Sequence, residues 1–172
     1  MGQTILLTGP PRVGKTTIIQ RVVERLPGRV GGFYTAEIRE RGRRQGFKIV
    51  TLDGQEGILA HVDIKGPHRV SKYGVDVAGF EAVGVAALQR AIAGADYIVI
   101  DEIGKMELFS ATFKAAVREA IESQATVLGT IMLRSHPWAD DIKRHPHVTL
   151  LHVTPANRDT LAEEILARLR QT

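Results

Sequence analysis

The chain has no cysteine, a single asparagine (Asn157) and only 5% aromatic residues. Without cysteine there is no disulfide, no thiolate metal site and no cysteine nucleophile. The dearth of asparagine and cysteine fits selection against heat-labile residues. So few aromatics, with no basic stripe threaded through them, argue against a surface that stacks unpaired bases. No apolar run reads as long enough to span a bilayer, so no membrane partner is expected. A charged-then-apolar leader is also missing ahead of the first strand-like run, and the chain reads as cytoplasmic. Nor is there a large excess of one charge: 23 basic against 19 acidic residues leave +4. That balance suits an anionic ligand and is too mild to demand nucleic acid. What is present is a 172-residue chain, 44% hydrophobic, with no repeat, linker or low-complexity tract. It is enough to bury one core, and residues 1–172 are expected to form one domain.

The most informative run is Gly9-Pro10-Pro11-Arg12-Val13-Gly14-Lys15-Thr16, followed by Thr17. It has the spacing G-x-x-x-x-G-K-T. Glycines let backbone N–H groups curl around a triphosphate, and a following helix adds its free N-terminal N–H groups and the positive end of its dipole. In such a cradle Lys15 reaches the β and γ phosphates, and the Thr16 hydroxyl takes a place on the Mg²⁺ that travels with the nucleotide. The context agrees: Thr4 to Thr8 is a short apolar run of strand length, and Ile18, Ile19, Val22, Val23 and Leu26 recur at helical spacing before Pro27-Gly28. Arg12 stands where a small residue fits most simply, so either its backbone angle is ordinary or some strain is tolerated.

Beyond this helix, residues 31–38 and 46–52 read as two strands of a hairpin, with 57–62 as a third antiparallel strand and then a loop. Phe80, Val83, Ala87, Leu88 and Ala91 predict a helix ended by Gly94, and Phe109, Phe113, Val117 and Ile121 another. Strands are predicted at 96–100, 126–130 and 148–153, a short helix between Trp138 and Arg144, and a last helix on Leu161, Ile165 and Leu169. The alternation predicts an α/β fold: a mostly parallel sheet flanked by helices on both faces, with an inserted antiparallel hairpin and ligands at the carboxyl ends of the strands.

Tyr97-Ile98-Val99-Ile100-Asp101-Glu102 is the second telling run. An apolar strand ending in Asp places the Asp101 carboxylate toward the Mg²⁺ held by Thr16. Glu102, one residue on, can poise or deprotonate a water for in-line attack on the γ phosphate, which makes hydrolysis the expected reaction. Other residues admit two readings. Thr130 ends the next strand, where its hydroxyl either senses the γ phosphate or is satisfied by backbone. Arg134 is a candidate for an arginine supplied in cis, and His136 reads as a loop residue. Arg39, Arg41, Arg43 and Arg44 read as a solvated hairpin tip or a phosphate or polynucleotide contact. Asn157 and Arg158 open the last helix, where they either flank the base or serve as caps.

The run from Thr8 to Thr17, with Gly32-Phe33-Tyr34-Thr35, Gly42-Arg43-Arg44, Gly46-Phe47, Asp101-Glu102-Ile103-Gly104-Lys105-Met106-Glu107-Leu108, Val153-Thr154-Pro155 and Asn157-Arg158, resembles the thermophile-type nucleoside-triphosphatase family, to which the animal cancer-related nucleoside-triphosphatase belongs. The resemblance covers nearly the whole chain in order. It implies a P-loop NTPase fold and a monomeric, Mg²⁺-dependent hydrolase that removes the terminal phosphate of ATP, GTP and other nucleoside triphosphates with little regard to base. It makes Gly9 to Thr16 the phosphate loop (Walker A) and the stretch Tyr97 to Gly104, carrying the Walker B carboxylate, the second nucleotide-binding segment. It also carries Lys105 and Glu107 as motif residues, either near phosphate and Glu102 or in surface pairs. Arg12 departs from the glycine common at its position in the family. A P-loop nucleotide or polynucleotide kinase shares the loop and fold and stays as the alternative. Glu102 beside Asp101 argues against it, as does the lack of an arginine-rich lid.

Overall fold

The computed structural model describes residues 2–171. The elements in order are β1 (Thr4–Thr8), α1 (Lys15–Val23), β2 (Val30–Glu40), β3 (Arg43–Thr51), β4 (Glu56–His61), β5 (Arg69–Val70), β6 (Tyr73–Val75) and α2 (Val77–Phe80). A π-helical turn (Glu81–Val85) joins α2 to α3 (Ala86–Gly94). Then come β7 (Tyr97–Ile103), a 3-10 turn (Glu107–Phe109), α4 (Ala111–Glu122), β8 (Thr126–Ile131), α5 (Pro137–Lys143), β9 (Val148–His152) and α6 (Leu161–Arg170).

The nine strands among the described residues share one sheet, ordered β5-β6-β4-β3-β2-β7-β8-β1-β9. From β2 to β9 the pairs are parallel, and from β2 outward to β5 they are antiparallel. The sheet is therefore mixed in equal parts, not mostly parallel. The expected hairpin is present as β2–β3, and β4, β6 and β5 widen it into a wing. The two short strands arise where a loop was predicted, because two and three residues are too few to show a period of two.

The central strands are continuous apolar runs because both faces are covered. Leu6, Ile98, Ile100 and Val127 face α3, α4 and α5, packing with Phe33, Phe80 and Phe113. Ile5, Leu7, Val99 and Leu128 face the other way onto α1 and α6 through Ile18, Ile19, Val22, Leu161 and Ile165. Val77–Gly94 departs from expectation, since its length and composition suffice for a membrane span. Here Phe80, Val85, Leu88 and Ala91 are buried in the core against β2, β7 and α4. Helix α4 begins after Ser110, whose hydroxyl accepts from the Phe113 N–H at 3.1 Å. Phe109 is therefore outside the helix, in the 3-10 turn, where its ring meets that of His68 at a tilt of 47° with centroids 4.8 Å apart.

Gly32 sets the crossing between the two halves of the sheet. It has φ of 108°, and a Cβ there would lie 2.0 Å from the Val99 carbonyl oxygen. Strand β2 runs parallel to β7 only as far as Phe33 opposite Ile100, and its outer half then continues past the carboxyl end of β7.

Candidate functional site

The loop after β1 turns into α1 at Gly14, whose φ of 109° is the left-handed conformation glycine tolerates. Arg12 also has positive φ, 62°, and is exposed, so strain is tolerated at a cost of about 1–2 kcal/mol for a residue with a Cβ. Lys15 Nζ donates to the Gly9 carbonyl at 2.6 Å, which folds the side chain back over its own loop. Val13 and Ile18 anchor the loop and helix in the core.

Asp101 is 4% exposed and both its oxygens are held. The Thr16 hydroxyl donates to Oδ2 at 2.8 Å and the Thr130 hydroxyl to Oδ1 at 2.6 Å. Burial pushes its carboxyl up, against the pull of Thr130, Thr16 and the Lys15 charge. The Thr35 hydroxyl donates to the Asp101 backbone carbonyl at 2.7 Å, which ties the root of the wing to the end of β7. Glu102 follows through a cis peptide bond in a break of the β7–β8 ladder. Its carboxyl is raised by burial and by Asp101 and pulled back by Lys15. A Cβ at Gly104 would lie 2.7 Å from Glu102 Oε1, so the glycine leaves that carboxylate its place. Glu107 is 4% exposed and lies near Glu102. Burial, with repulsion from Glu102, holds its carboxyl well above the ordinary range.

These groups line one cleft of about 860 Å³ at the carboxyl ends of the parallel strands. It brings together Gly9, Pro11, Arg12, Gly14, Lys15, Thr16 and Thr17 with Asp101, Glu102, Lys105, Glu107 and Arg134. A smaller cavity of about 280 Å³ between Arg29 and Arg90 lies at the opposite, amino-terminal end of β2, away from the loop.

Other predicted site residues lie elsewhere. Ile98, Val99, Ile100 and Ile103 are fully buried in the two cores, so they support the segment without facing the cleft. Tyr97 starts β7 at the amino-terminal end of the parallel half. Pro10 is exposed on the loop, outside the cleft lining, and Gly104 is buried. Thr130 stands behind Asp101 with its hydroxyl committed to that carboxylate, not directed at a phosphate. Asn157 precedes the last helix, which starts at Leu161; its side chain accepts from Thr154 N–H and donates to the His152 carbonyl, both at 2.8 Å. Arg158 is exposed on the same turn, and neither residue lines the cleft. His136 caps α5 by accepting from Trp138 N–H at 3.2 Å. Arg39 and Arg44 both pair with Glu37, so only part of the hairpin tip is freely solvated. Sequence reasoning gave no site role to Thr35, Phe47 and Met106, which line the cleft; they stood only within the runs that carry the resemblance, because the meeting of the wing with the turn after β7 leaves no local trace.

A phosphate loop opening a helix, with a strand-end aspartate held by the threonine of that loop, defines a P-loop nucleotide-binding protein. The chain belongs to the NTPase family, whose model matches residues 4–166. It is 48% identical over 166 residues to nucleoside-triphosphatase THEP1 of Thermotoga sp. (strain RQ2), covering 96% of this chain and 95% of that protein. To the human cancer-related nucleoside-triphosphatase it is 41% identical over 182 residues, covering 96% of each. The crystal structure of THEP1 from Aquifex aeolicus superposes with a TM-score of 0.88 at 40% identity, covering 96% of this chain and 98% of that one.

Proposed function

We propose that the chain is a nucleoside-triphosphatase that hydrolyses the β–γ bond in the presence of Mg²⁺ and accepts several bases. The observation that carries the reading is the juxtaposition of Lys15, Thr16, Asp101 and Glu102 in one cleft. The names of its relatives support the activity.

The donor set fits Mg²⁺. Thr16 Oγ1 and Asp101 Oδ2 are hard oxygens 2.8 Å apart, and Mg²⁺ takes one or two carboxylates together with substrate phosphates and water. Among the described residues no group of three His, Cys, Asp or Glu forms a closed metal cage, and this mode of binding needs none. When bound there, Mg²⁺ supplies Lewis-acid neutralisation of charge on the phosphoryl oxygens.

The protein's own groups do the rest. Loop N–H groups and Lys15 hold the phosphates, with Lys15 exchanging its bond to Gly9 for one to phosphate. Glu102 orients a water and accepts its proton as the water oxygen bonds to the γ phosphorus and the bridging P–O bond breaks. Exposed Arg134 and Lys105 at the cleft offer positive charge to the departing diphosphate or the transferred group. Tolerance of the base follows from the site's polar groups being directed at phosphate. The reading is of a monomer working in the cytoplasm. Phosphate release from a panel of nucleoside triphosphates, with and without Mg²⁺, tests it: similar rates across bases and loss on chelation are expected. Hydrolysis confined to one base, or indifferent to chelation, would overturn the corresponding part.

A further inference from the structure

The cleft is larger than a triphosphate tail needs, and its second half has a different chemistry. Past Glu102 it is lined by Phe47, Leu59, Val70, Met106, Met132 and Leu133, contributed by the antiparallel wing and by the turns after β7 and β8. The Arg44 guanidinium lies 5.1 Å from the Phe47 ring centroid and 5.6 Å from that of Tyr73, and it donates to the Tyr73 hydroxyl at 2.9 Å. A pair with Glu37 holds it in addition. The result is an apolar floor bearing one ring, Phe47, with a fixed cation at its edge. At about 860 Å³ the cleft falls within the roughly 300–1,000 Å³ typical of small-molecule sites. The turn carrying Asn157 and Arg158, which the sequence offered as a flank for the base, lies outside it. On the proposed reading Lys15 and Glu102 face the terminal phosphate, so the apolar half past Glu102 lies beyond that phosphate, at the end of the triphosphate away from the base.

We propose that this half-cleft binds a second substrate, a small alcohol carrying a flat ring, and that the enzyme phosphorylates it. The inference rests on the proposed nucleotide site and extends it. Three features select this occupant. The floor of Phe47 and Met106 suits one face of a ring. Arg44 and Glu37, beside Thr35, give the ring's polar edge both donors and acceptors. Glu102, which in the sequence alone speaks for water against a kinase's acceptor, serves either: a neutral hydroxyl needs a base to attack phosphorus just as water does, whereas a phosphate acceptor does not.

In the step, the alcohol oxygen bonds to the γ phosphorus and the bridging β–γ P–O bond breaks. Its electron pair leaves with the diphosphate, and the hydroxyl proton passes to the Glu102 carboxylate. The products are a phosphate monoester and the nucleoside diphosphate. Water in the alcohol's place gives hydrolysis, so one base serves both outcomes.

The test uses the full chain with Mg²⁺ and γ-labelled ATP, alone and with each of adenosine, guanosine, cytidine, uridine, thymidine, pyridoxine and tyrosol. Free phosphate and labelled organic product are separated and counted. At least one alcohol is expected to take up label at ten times or more the rate of phosphate release in its absence. Val70→Asp, which puts a charge on the floor, is expected to lower the ratio of labelled alcohol to free phosphate at least tenfold. Labelled methyl groups report whether that variant is folded and whether the ring is seated, since two of the chain's three methionines, Met106 and Met132, line the cleft. Failure of every alcohol to take up label overturns the proposal, as does a Val70→Asp protein, folded by its methyl spectrum, that keeps the ratio. Free phosphate in the tube without alcohol reports the nucleoside-triphosphatase reading separately.

Discussion

The parallel and antiparallel halves of the sheet meet at β2 and are built on opposite terms. In the parallel half the polar groups around Asp101 are tied to one another: Lys15 to Gly9, Thr16 and Thr130 to the two oxygens of Asp101, with Thr35 from the root of the wing bonded to the Asp101 carbonyl. The wing presents mostly ring and aliphatic surface to the same cleft, with Arg44 and Glu37 as its polar pair. Hydrogen bonds fix an atom to within a fraction of an ångström, whereas apolar contact fixes only a shape. The contrast assigns the chemistry to the first half and the choice of what lies beside it to the second.

The sharpest way to break this division is Glu102→Gln, which keeps the shape of the carboxylate and removes the base. Turnover should fall about 10² to 10⁴-fold while nucleotide affinity survives, as measured by phosphate release and equilibrium binding. Near-normal release would remove Glu102 from the mechanism. Next in size, Lys15→Ala deletes a charge-assisted contact worth about 1.5–3 kcal/mol, or about 10 to 150-fold in kcat/KM. The loss should be equal for ATP, GTP, CTP and UTP, and a base-dependent loss would contradict a cleft half that sees only phosphate.

Thr130→Val is subtler. It leaves Asp101 Oδ1 without its 2.6 Å donor in a fully buried place. A cost of about 1–3 kcal/mol is expected, seen as a lower Tm and a higher Mg²⁺ requirement. An unaltered Mg²⁺ titration would mean that Thr130 does not position Asp101. Smallest is Glu107→Gln. The native carboxyl is raised far above its ordinary value of 4.5, so the folded state keeps a proton that the unfolded chain releases. That stability is full below the ordinary value and is lost as pH climbs toward the raised one. The variant cannot ionise, so its Tm should change less between pH 5 and 8, by about a few degrees for a domain of this size. Parallel Tm profiles would show that Glu107 does not titrate between the folded and unfolded states.

The two halves also differed in how far their sequences could be read. Continuous runs such as Tyr97 to Ile100 and the 3.6-residue spacing of Ile18, Ile19 and Val22 announce buried strands and a helix, because a two-sided core demands them. Gly9 to Thr16 was legible because a phosphate cradle needs its glycines at fixed spacing. The wing was not, since Arg69–Val70 and Tyr73–Val75 become strands only by pairing with β4 and each other. Thr130 shows a related limit. Its place near a strand end leaves open a view of the cleft or a backbone partner, and only the packing of β8 against β7 turns its hydroxyl to Asp101. Arg12 and Phe109 show the local limit: a positive φ and a serine cap at Ser110 each overrode the simplest pattern.

The Thr35 bond to the Asp101 carbonyl gives β2 a second duty. Anything that tilts the wing pulls on the very peptide that carries the Asp101 carboxylate. Occupancy of the apolar half and alignment of the phosphate half are then mechanically linked through one hydroxyl. A guest seated on Phe47 could set the rate of a reaction whose atoms it never touches, simply by steadying the strand that Thr35 pins.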